Sequence, residues 1–307
     1  MEVAALIVAA GMSSRMGAFK PMLNIGTISV AQRIVATFQQ AGVDKIVMVT
    51  GFNAVALERH LADHGIIFLR NEDYETTQMF DSVKIGLRYL ENKCDKVLFT
   101  PVDVPLFTAQ TVKTMLASNE KLACPICNGE KGHPLLIDNS LLSEILLDSG
   151  EQGLRGATAR CSVPMGHIPV EDYGTLCDAD TPEDFAALVD YHNHQLVRAE
   201  VEVTLAKEKV FFDKKTAMLL TLIDETKSVR AAGQRIQLSY SSCWNQIRRL
   251  EEQLGYPLVQ RTQGGAVGGA SVLTEQGRGF LARYVQYEKK VRQMAEALFD
   301  EHFGGMF

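Results

Sequence analysis

The chain has 307 residues, 46% of them hydrophobic and 22% charged, ordinary globular usage that suggests about two domains at roughly 150 residues each. No apolar run reaches membrane-spanning length, the opening "MEVAALIVAA" lacks the positive n-region of a signal peptide, and six scattered cysteines suit reduced cytosolic thiols, so a membrane span and a secreted disulfide framework are both excluded and a cytoplasmic protein is expected. The net charge of −6 is uneven, because residues 1–200 carry 16 Lys/Arg against 25 Asp/Glu while residues 201–307 carry 15 against 12; an acidic front and a mildly basic back suit different partners.

Strands are predicted at 3–9, 45–51, 66–71, 96–103, 121–126 and 133–138, and helices between them at 29–41, 53–63, 79–91, 108–117 and 140–147. Near-continuous apolar strands spaced by helices imply an α/β fold with a mostly parallel sheet covered on both faces. Cys124 and Cys127 form a C-x-x-C with no second pair and no histidines at finger spacing, which reads as two buried strand thiols and not as zinc. Residues 183–194 read as a closing helix with Thr181 as N-cap and Pro182 at its first position, and His192 and His194 as part of a solvated linker. The pattern changes near 195–200, giving domains at 1–195 and 196–307. Residues 196–212 read as a strand or two, and the rest is helical except for "RTQGGAVGGASVLT" at 261–274.

Chemistry is concentrated at two strand ends. The first strand runs into "AAGMSSRMGAFKP". A strand that ends in a glycine loop and opens a helix aims its backbone N–H groups at one point, a natural anion site. Gly11 and Gly17 let the backbone approach a ligand, and Arg15 and Lys20 add two cations that can grip phosphate. The spacing is neither that of a Walker loop nor that of a dinucleotide fingerprint. About 80 residues later "VLFTPVDVP" carries Asp103 to another strand end, where open parallel sheets bind ligands. A carboxylate facing a triphosphate is where Mg²⁺ binds. A further acidic cluster, "LCDADTPED", offers Asp178 and Asp180.

These stretches together resemble the MobA/MocA-like nucleotidyltransferases of molybdenum cofactor. "VAAGMSSRMGAFKP", "LRNEDYETTQMFDSVKIGL" with Ser82 and Gly86, "TPVDVP", "GEKGHPLLID" and "CDADTPEDF" follow the family's motifs in order over residues 1–190. Gln78 departs from a usual glycine, and Phe80–Asp81 replace smaller residues on what would be the acceptor side. The resemblance implies a Rossmann-like nucleotidyltransferase domain that moves a nucleoside monophosphate to a phosphorylated acceptor and releases pyrophosphate. It assigns Ala9, Ala10, Gly11, Ser13, Arg15, Gly17, Lys20 and Ser82 to the nucleotide, Asp103 and Asp180 to Mg²⁺, and Arg15, Lys20 and Asp103 to catalysis. The family divides loosely between "LAGG" openings for GTP and "LAAG" openings for CTP. An alanine methyl at Ala10 narrows the base pocket, so CTP is expected over GTP. A molybdopterin-type acceptor is implied, with a molybdenum hydroxylase or its chaperone as recipient. His133 either faces the acceptor or braces its turn.

In the back half, apolar positions 218, 219, 222 and 223 mark one helix. Ser228 can cap a second, carrying Val229, Ala232 and Ile236, and Ser239 a third with Cys243, Ile247, Leu250 and Leu254 on its buried stripe. Two short helices joined by a few residues describe a helix-turn-helix. Ser239, Tyr240, Ser242, Asn245 and Arg249 face outward toward bases or phosphates, and Trp244 is assigned to the core. "SYSSCW", "RLEEQLGYPLVQR" and "GGAVGGASVLTEQG" resemble the winged helix-turn-helix of ModE-like and LysR-type regulators over about 205–287, with Gln237 where the turn usually has glycine. That resemblance implies DNA as partner and a homodimer, with the helix at 279–302 as the dimer element. The alternatives are a molybdenum-responsive regulator whose transferase half is a sensor, and a transferase for another phosphorylated acceptor.

Overall fold

The computed structural model describes residues 2–11, 19–178, 183–186, 188, 199–262 and 270–303. The chain divides into two compact units, residues 1–195 and 196–307.

In chain order the first unit contains β1 (Val3–Ala9), β2 (Asn24–Ile25), β3 (Ile28–Ser29), α1 (Val30–Gln40), β4 (Lys45–Thr50), α2 (Ala54–His60), β5 (Ile66–Arg70), α3 (Met79–Leu90), β6 (Lys96–Pro101), α4 (Ala109–Ala117), β7 (Leu122–Cys127), β8 (Glu130–Lys131), β9 (Leu135–Asp138), α5 (Leu142–Leu147), α6 (Gly153–Ala159) and β10 (Gly166–Pro169). The sheet order is β10-β7-β9-β6-β1-β4-β5, with β8 paired to β7. β1 pairs in parallel with both β4 and β6, and β9 runs antiparallel between β6 and β7. Every residue of β1 after Val3 is buried, as a central strand covered on both faces requires. Its side chains alternate between the faces. Ala5, Ile7 and Ala9 join Ile34, Phe38, Phe107 and Val112 in the core under α1 and α4. Leu6 faces α3, where a Cβ added at Gly86 would lie 2.2 Å from its Cδ1; glycine lets the helix settle directly on the strand.

Ser29 caps α1, accepting from the Gln32 amide at 3.2 Å while the Gln32 side chain accepts from the Ser29 amide at 2.8 Å. Four elements go beyond the sequence expectation: the β2–β3 hairpin, β8, α6 and β10. Gly153 and Gly156 weaken the intrinsic helix signal of α6, and "GHIP" is strand only because it pairs in parallel with β7 at the sheet edge. Cys124 and Cys127 are buried on β7; three residues apart on one strand, they project to opposite faces. Burial raises the Cys124 thiol pKa.

The second unit contains β11 (Leu205–Ala206) and β12 (Val210–Phe212), then α7 (Lys214–Thr226), α8 (Val229–Arg235), α9 (Tyr240–Leu254), the hairpin β13 (Val259–Thr262) and β14 (Ala270–Leu273), and α10 (Glu275–Phe303). Phe212 packs edge-on against Phe280 and Tyr284 at 4.9 and 4.6 Å. Side chains of Asp213, Ser228 and Ser239 cap α7, α8 and α9, and Gly255 closes α9 with φ +80°. Thr181, Pro182, His192 and His194 lie outside the described residues. No helix among the described residues is long and apolar enough to cross a membrane.

Candidate active site

The chain reverses its direction of travel across the sheet at β1, going outward through β4 and β5 and returning to β6 on the other side. Ligands of open α/β sheets bind beyond the strand ends at such a switch point. Here the β1 and β6 ends are locked together by the Val102 amide donating to the Val8 carbonyl at 3.0 Å, and β1 to the β4 end by the Phe52 amide donating to Ala10 at 3.1 Å. The cleft between them has a volume of about 200 Å³ and is lined by Val8–Gly11, Lys20, Tyr74, Thr77–Met79, Ser82 and Pro101–Asp103. Ala9, Ala10, Gly11, Lys20, Ser82 and Asp103 are thus brought together from four separate segments. Ser13, Arg15, Gly17 and Asp180 lie outside the described residues.

Gly11 faces open space, with nothing among the described residues within 4 Å of where a Cβ would stand. No described residue bars a ligand from its backbone. Gly51, behind it, has no such room: a Cβ would fall 2.7 Å from the Tyr74 Cβ, 2.8 Å from the Ala10 carbonyl and 3.0 Å from the Ala10 methyl. Beyond Tyr74 lies a second cavity of about 290 Å³, bounded by Gly51, Asn53 and Arg70–Glu72 among others. Arg70 forms a forked ion pair with the buried Glu58 at 2.9 and 2.7 Å, and Thr50 donates to the same carboxylate at 2.7 Å.

Tyr74, Thr77 and Met79 join the cleft without having been expected there, beside Gln78, which the resemblance had set on the acceptor side. They carry no charge, and Tyr74 and Thr77 lie before the predicted helix at 79–91, so only the motif-bearing stretch 69–87 pointed to them. Phe80 is buried, packed beside Gly150 and under the Lys84 ammonium, 4.7 Å from its ring centre; its bulk goes into the α3–α6 junction and not into the cleft. His133 is not among the cleft-lining residues. Its ring meets Phe99 edge-on at 5.8 Å and its backbone N–H donates to Thr175 at 3.0 Å. Burial pushes its pKa down to about 4, against a hydrogen bond with the Phe99 backbone.

A second carboxylate, Asp172, was not anticipated. It is buried and accepts from the Thr108 amide (2.7 Å), the Thr108 hydroxyl (2.9 Å), the Thr111 hydroxyl (2.6 Å) and the Gly174 amide (3.0 Å). It pins the segment leading to Asp178 onto the start of α4, five residues after Asp103. No group of three or more metal-ligating side chains occurs among the described residues. One cleft carboxylate beside an open glycine backbone fits a Mg²⁺ ion shared with phosphate oxygens, not an all-protein cage.

In the second unit, Cys243, Ile247 and Leu250 are buried while Ser239, Tyr240, Asn245 and Arg249 are exposed on the other face of α9 and Ser242 is half-buried. Ser239 Oγ accepts from the Ser242 amide at 3.1 Å and bonds the Ser241 and Ser242 hydroxyls, so it is engaged in capping. Trp244 is half-buried and edge-on to Tyr240 at 6.3 Å, and Arg230 sits 5.5 Å over the Tyr240 ring. Gln237 takes φ +57°, the left-handed turn conformation that glycine adopts at no cost. A Cβ on Gly233 would stand 2.6 Å from Cys243 Sγ, which is how closely α8 and α9 meet.

Residues 5–164, more than half of the chain, match the MobA-like NTP transferase domain. The chain belongs to that family. Its MobA-like part is 28% identical over 185 residues to molybdenum cofactor cytidylyltransferase of Escherichia coli (strain K12), covering 59% of this chain and 92% of that protein. The crystal structure of Rv0371c from Mycobacterium tuberculosis H37Rv in complex with manganese shares the fold, with a TM-score of 0.51 at 17% identity over 62% of this chain and 99% of that one. Residues 217–278 match the bacterial regulatory helix-turn-helix protein, lysR family. The same region is similar to the DNA-binding transcriptional dual regulator ModE of E. coli K12, 30% identical over 105 residues, 34% of this chain but only 38% of ModE. The protein is therefore a MobA-like nucleotidyltransferase fused to a helix-turn-helix regulatory domain.

Proposed function

We propose that the MobA-like unit is a molybdenum cofactor cytidylyltransferase, which transfers CMP from CTP to the phosphate of a molybdopterin-type acceptor. The observation that carries this is the meeting of Lys20, Asp103 and the open backbone at Gly11 in one cleft at the switch point. Lys20 and, from the motif, Arg15 hold the triphosphate as fixed cations, with the amides around Gly11, Ser13 and Gly17 as further donors. An acceptor phosphate oxygen attacks the α-phosphorus, the bond to the bridging oxygen breaks, and pyrophosphate leaves. No protein nucleophile takes part. Asp103, with Asp180 assigned from the motif, would hold Mg²⁺, which supplies charge neutralisation on the phosphates. The choice of CTP is supported by the Ala10 methyl and Tyr74, which close over Gly51 and leave the cleft small.

For the second unit we infer DNA binding through the outward face of α9, with Asn245 and Arg249 among its exposed polar groups. A homodimer is supported by Tyr287, Met294 and Leu298 on α10, exposed at spacings of seven and four residues, which keep them on one face of the helix.

The test is turnover of the full chain with molybdopterin, Mg²⁺ and either CTP or GTP, read as pyrophosphate release. CTP is expected to outperform GTP, and Asp103→Ala to remove activity at an unchanged melting temperature. Absence of pyrophosphate with every nucleotide would sink the assignment. A gel shift at low salt tests the second unit, with Arg249→Ala expected to weaken retardation.

A further inference from the structure

The α3 side of the cleft differs in chemistry from the rest of the lining. Lys20 and Asp103 come from other segments, whereas Tyr74, Thr77, Gln78, Met79 and Ser82 are neutral. Neutral hydrogen-bonding groups beside an aromatic ring suit a nucleobase and not a phosphate. Behind this wall lies Asn71, buried, with its own amide held by the Thr50 carbonyl at 2.8 Å.

The orientation of the Asn71 side chain is fixed by three contacts. Its Oδ1 accepts from the Asp73 amide at 3.1 Å, so the other end of the amide is the NH₂ group, which donates to Thr77 Oγ1 at 2.8 Å and to Ser82 Oγ at 3.0 Å. A flipped amide would set NH₂ against the Asp73 N–H. Both hydroxyls are thereby acceptors toward Asn71, but their protons fare differently. Thr77 donates its own to the Asp73 carbonyl at 2.9 Å. The Ser82 hydroxyl has no other partner among the described residues. A hydroxyl has one proton to give, and that of Ser82, with Asn71 behind it, is left to the cleft.

We propose that Asn71 is a positioning residue for base selection: it holds Ser82 as an obligate hydrogen-bond donor to a ring carbonyl of the nucleotide's base. This rests on the CTP reading above and adds to it the group that reads the base and the residue that sets its polarity. Asp at position 71 would keep the Asp73 contact but accept the Ser82 proton, turning a lone pair toward the base carbonyl.

The experiment is a double-mutant cycle on the full chain, with CTP and inorganic tripolyphosphate as probes in Mg²⁺, read as dissociation constants by titration calorimetry. Ser82→Ala is expected to weaken CTP about 10-fold, the size of one neutral hydrogen bond, and Asn71→Asp about 30-fold. Because Asn71 acts through Ser82, the double variant should return to about the 10-fold loss of Ser82→Ala alone. Tripolyphosphate affinity should stay within about 2-fold throughout, since the phosphates do not meet Ser82. Losses that multiply in the double variant, or that fall equally on tripolyphosphate, would overturn the proposal. Should Asn71→Asp fail to fold, Asn71→Ala replaces it in the same cycle, with a smaller loss that must also vanish in the Ser82→Ala background. Wild-type chain that binds neither probe would bring down the transferase reading itself, whereas normal CTP binding by Ser82→Ala would remove only this inference.

Discussion

The two units build their working surfaces in opposite ways. In the MobA-like unit, the cleft is assembled from segments far apart in the chain, joined at strand ends: Val102 to Val8, Phe52 to Ala10, Asp172 to Thr108. In the helix-turn-helix unit, the exposed face is set by local contacts, with Ser228 capping α8 and Ser239 capping α9 within three residues of their own backbones. A site made by long-range ties is rigid only while the whole sheet is intact. A surface made by caps is damaged one helix at a time.

The strongest way to break that contrast is at Asp172. Replacing it with alanine strands two threonine hydroxyls and two amides, and should cost the first unit about 2–4 kcal/mol of unfolding free energy by urea denaturation. The second unit's transition should not move. A loss shared by both units would show that the division is not thermodynamic.

The next largest effect is expected from pH. Burial holds His133 near 4, below its ordinary 6.5, so the unfolded chain takes up a proton first as pH falls. Its contribution is complete above about pH 6.5 and is lost progressively down to about pH 4, on the order of 3 kcal/mol if no other group compensates. Urea titrations at pH 7 and pH 4.5 should show the fall, and His133→Phe should flatten it. Asp148 titrates lower: its Arg160 partner holds it near 2, so any loss from it appears only below about pH 4.

The smallest expected effect is local. Gln237→Gly relieves the left-handed backbone at φ +57° and should raise the second unit's stability by about 0.5–1 kcal/mol, read as a modest rise in its melting temperature. A fall would mean that the Gln237 side-chain bond to the Gln234 carbonyl at 3.2 Å outweighs the strain.

The same contrast explains what the sequence made legible. Strand and helix positions in the first unit followed from apolar period, and the caps Ser228 and Ser239 from residue type, because each is decided within a few residues. The meeting of Lys20 with Asp103 was anticipated from two motifs ending predicted strands. Asp172 was missed because a buried carboxylate looks like any acidic loop residue until Thr108, 64 positions away, is brought to it. Phe80 was expected to reshape the acceptor side; its actual place depended on Gly150, which no local pattern connects to it. β10 was missed because its pairing with β7, and not its composition, makes it a strand.

Between β14 and α10 there is one residue, Thr274, whose hydroxyl donates to Pro257 at 2.8 Å and accepts from Gly277 at 3.0 Å. The hairpin is therefore the root of a rod: 29 residues of helix extend about 43 Å at 1.5 Å per residue. Phe280 and Tyr284 seat the first turns of that rod on Phe212, and Arg278 ties it to Asp224; at this length a tilt of about 10° in the axis displaces the far end by about 7 Å. The orientation of those first turns therefore sets where the tip around Phe303 stands.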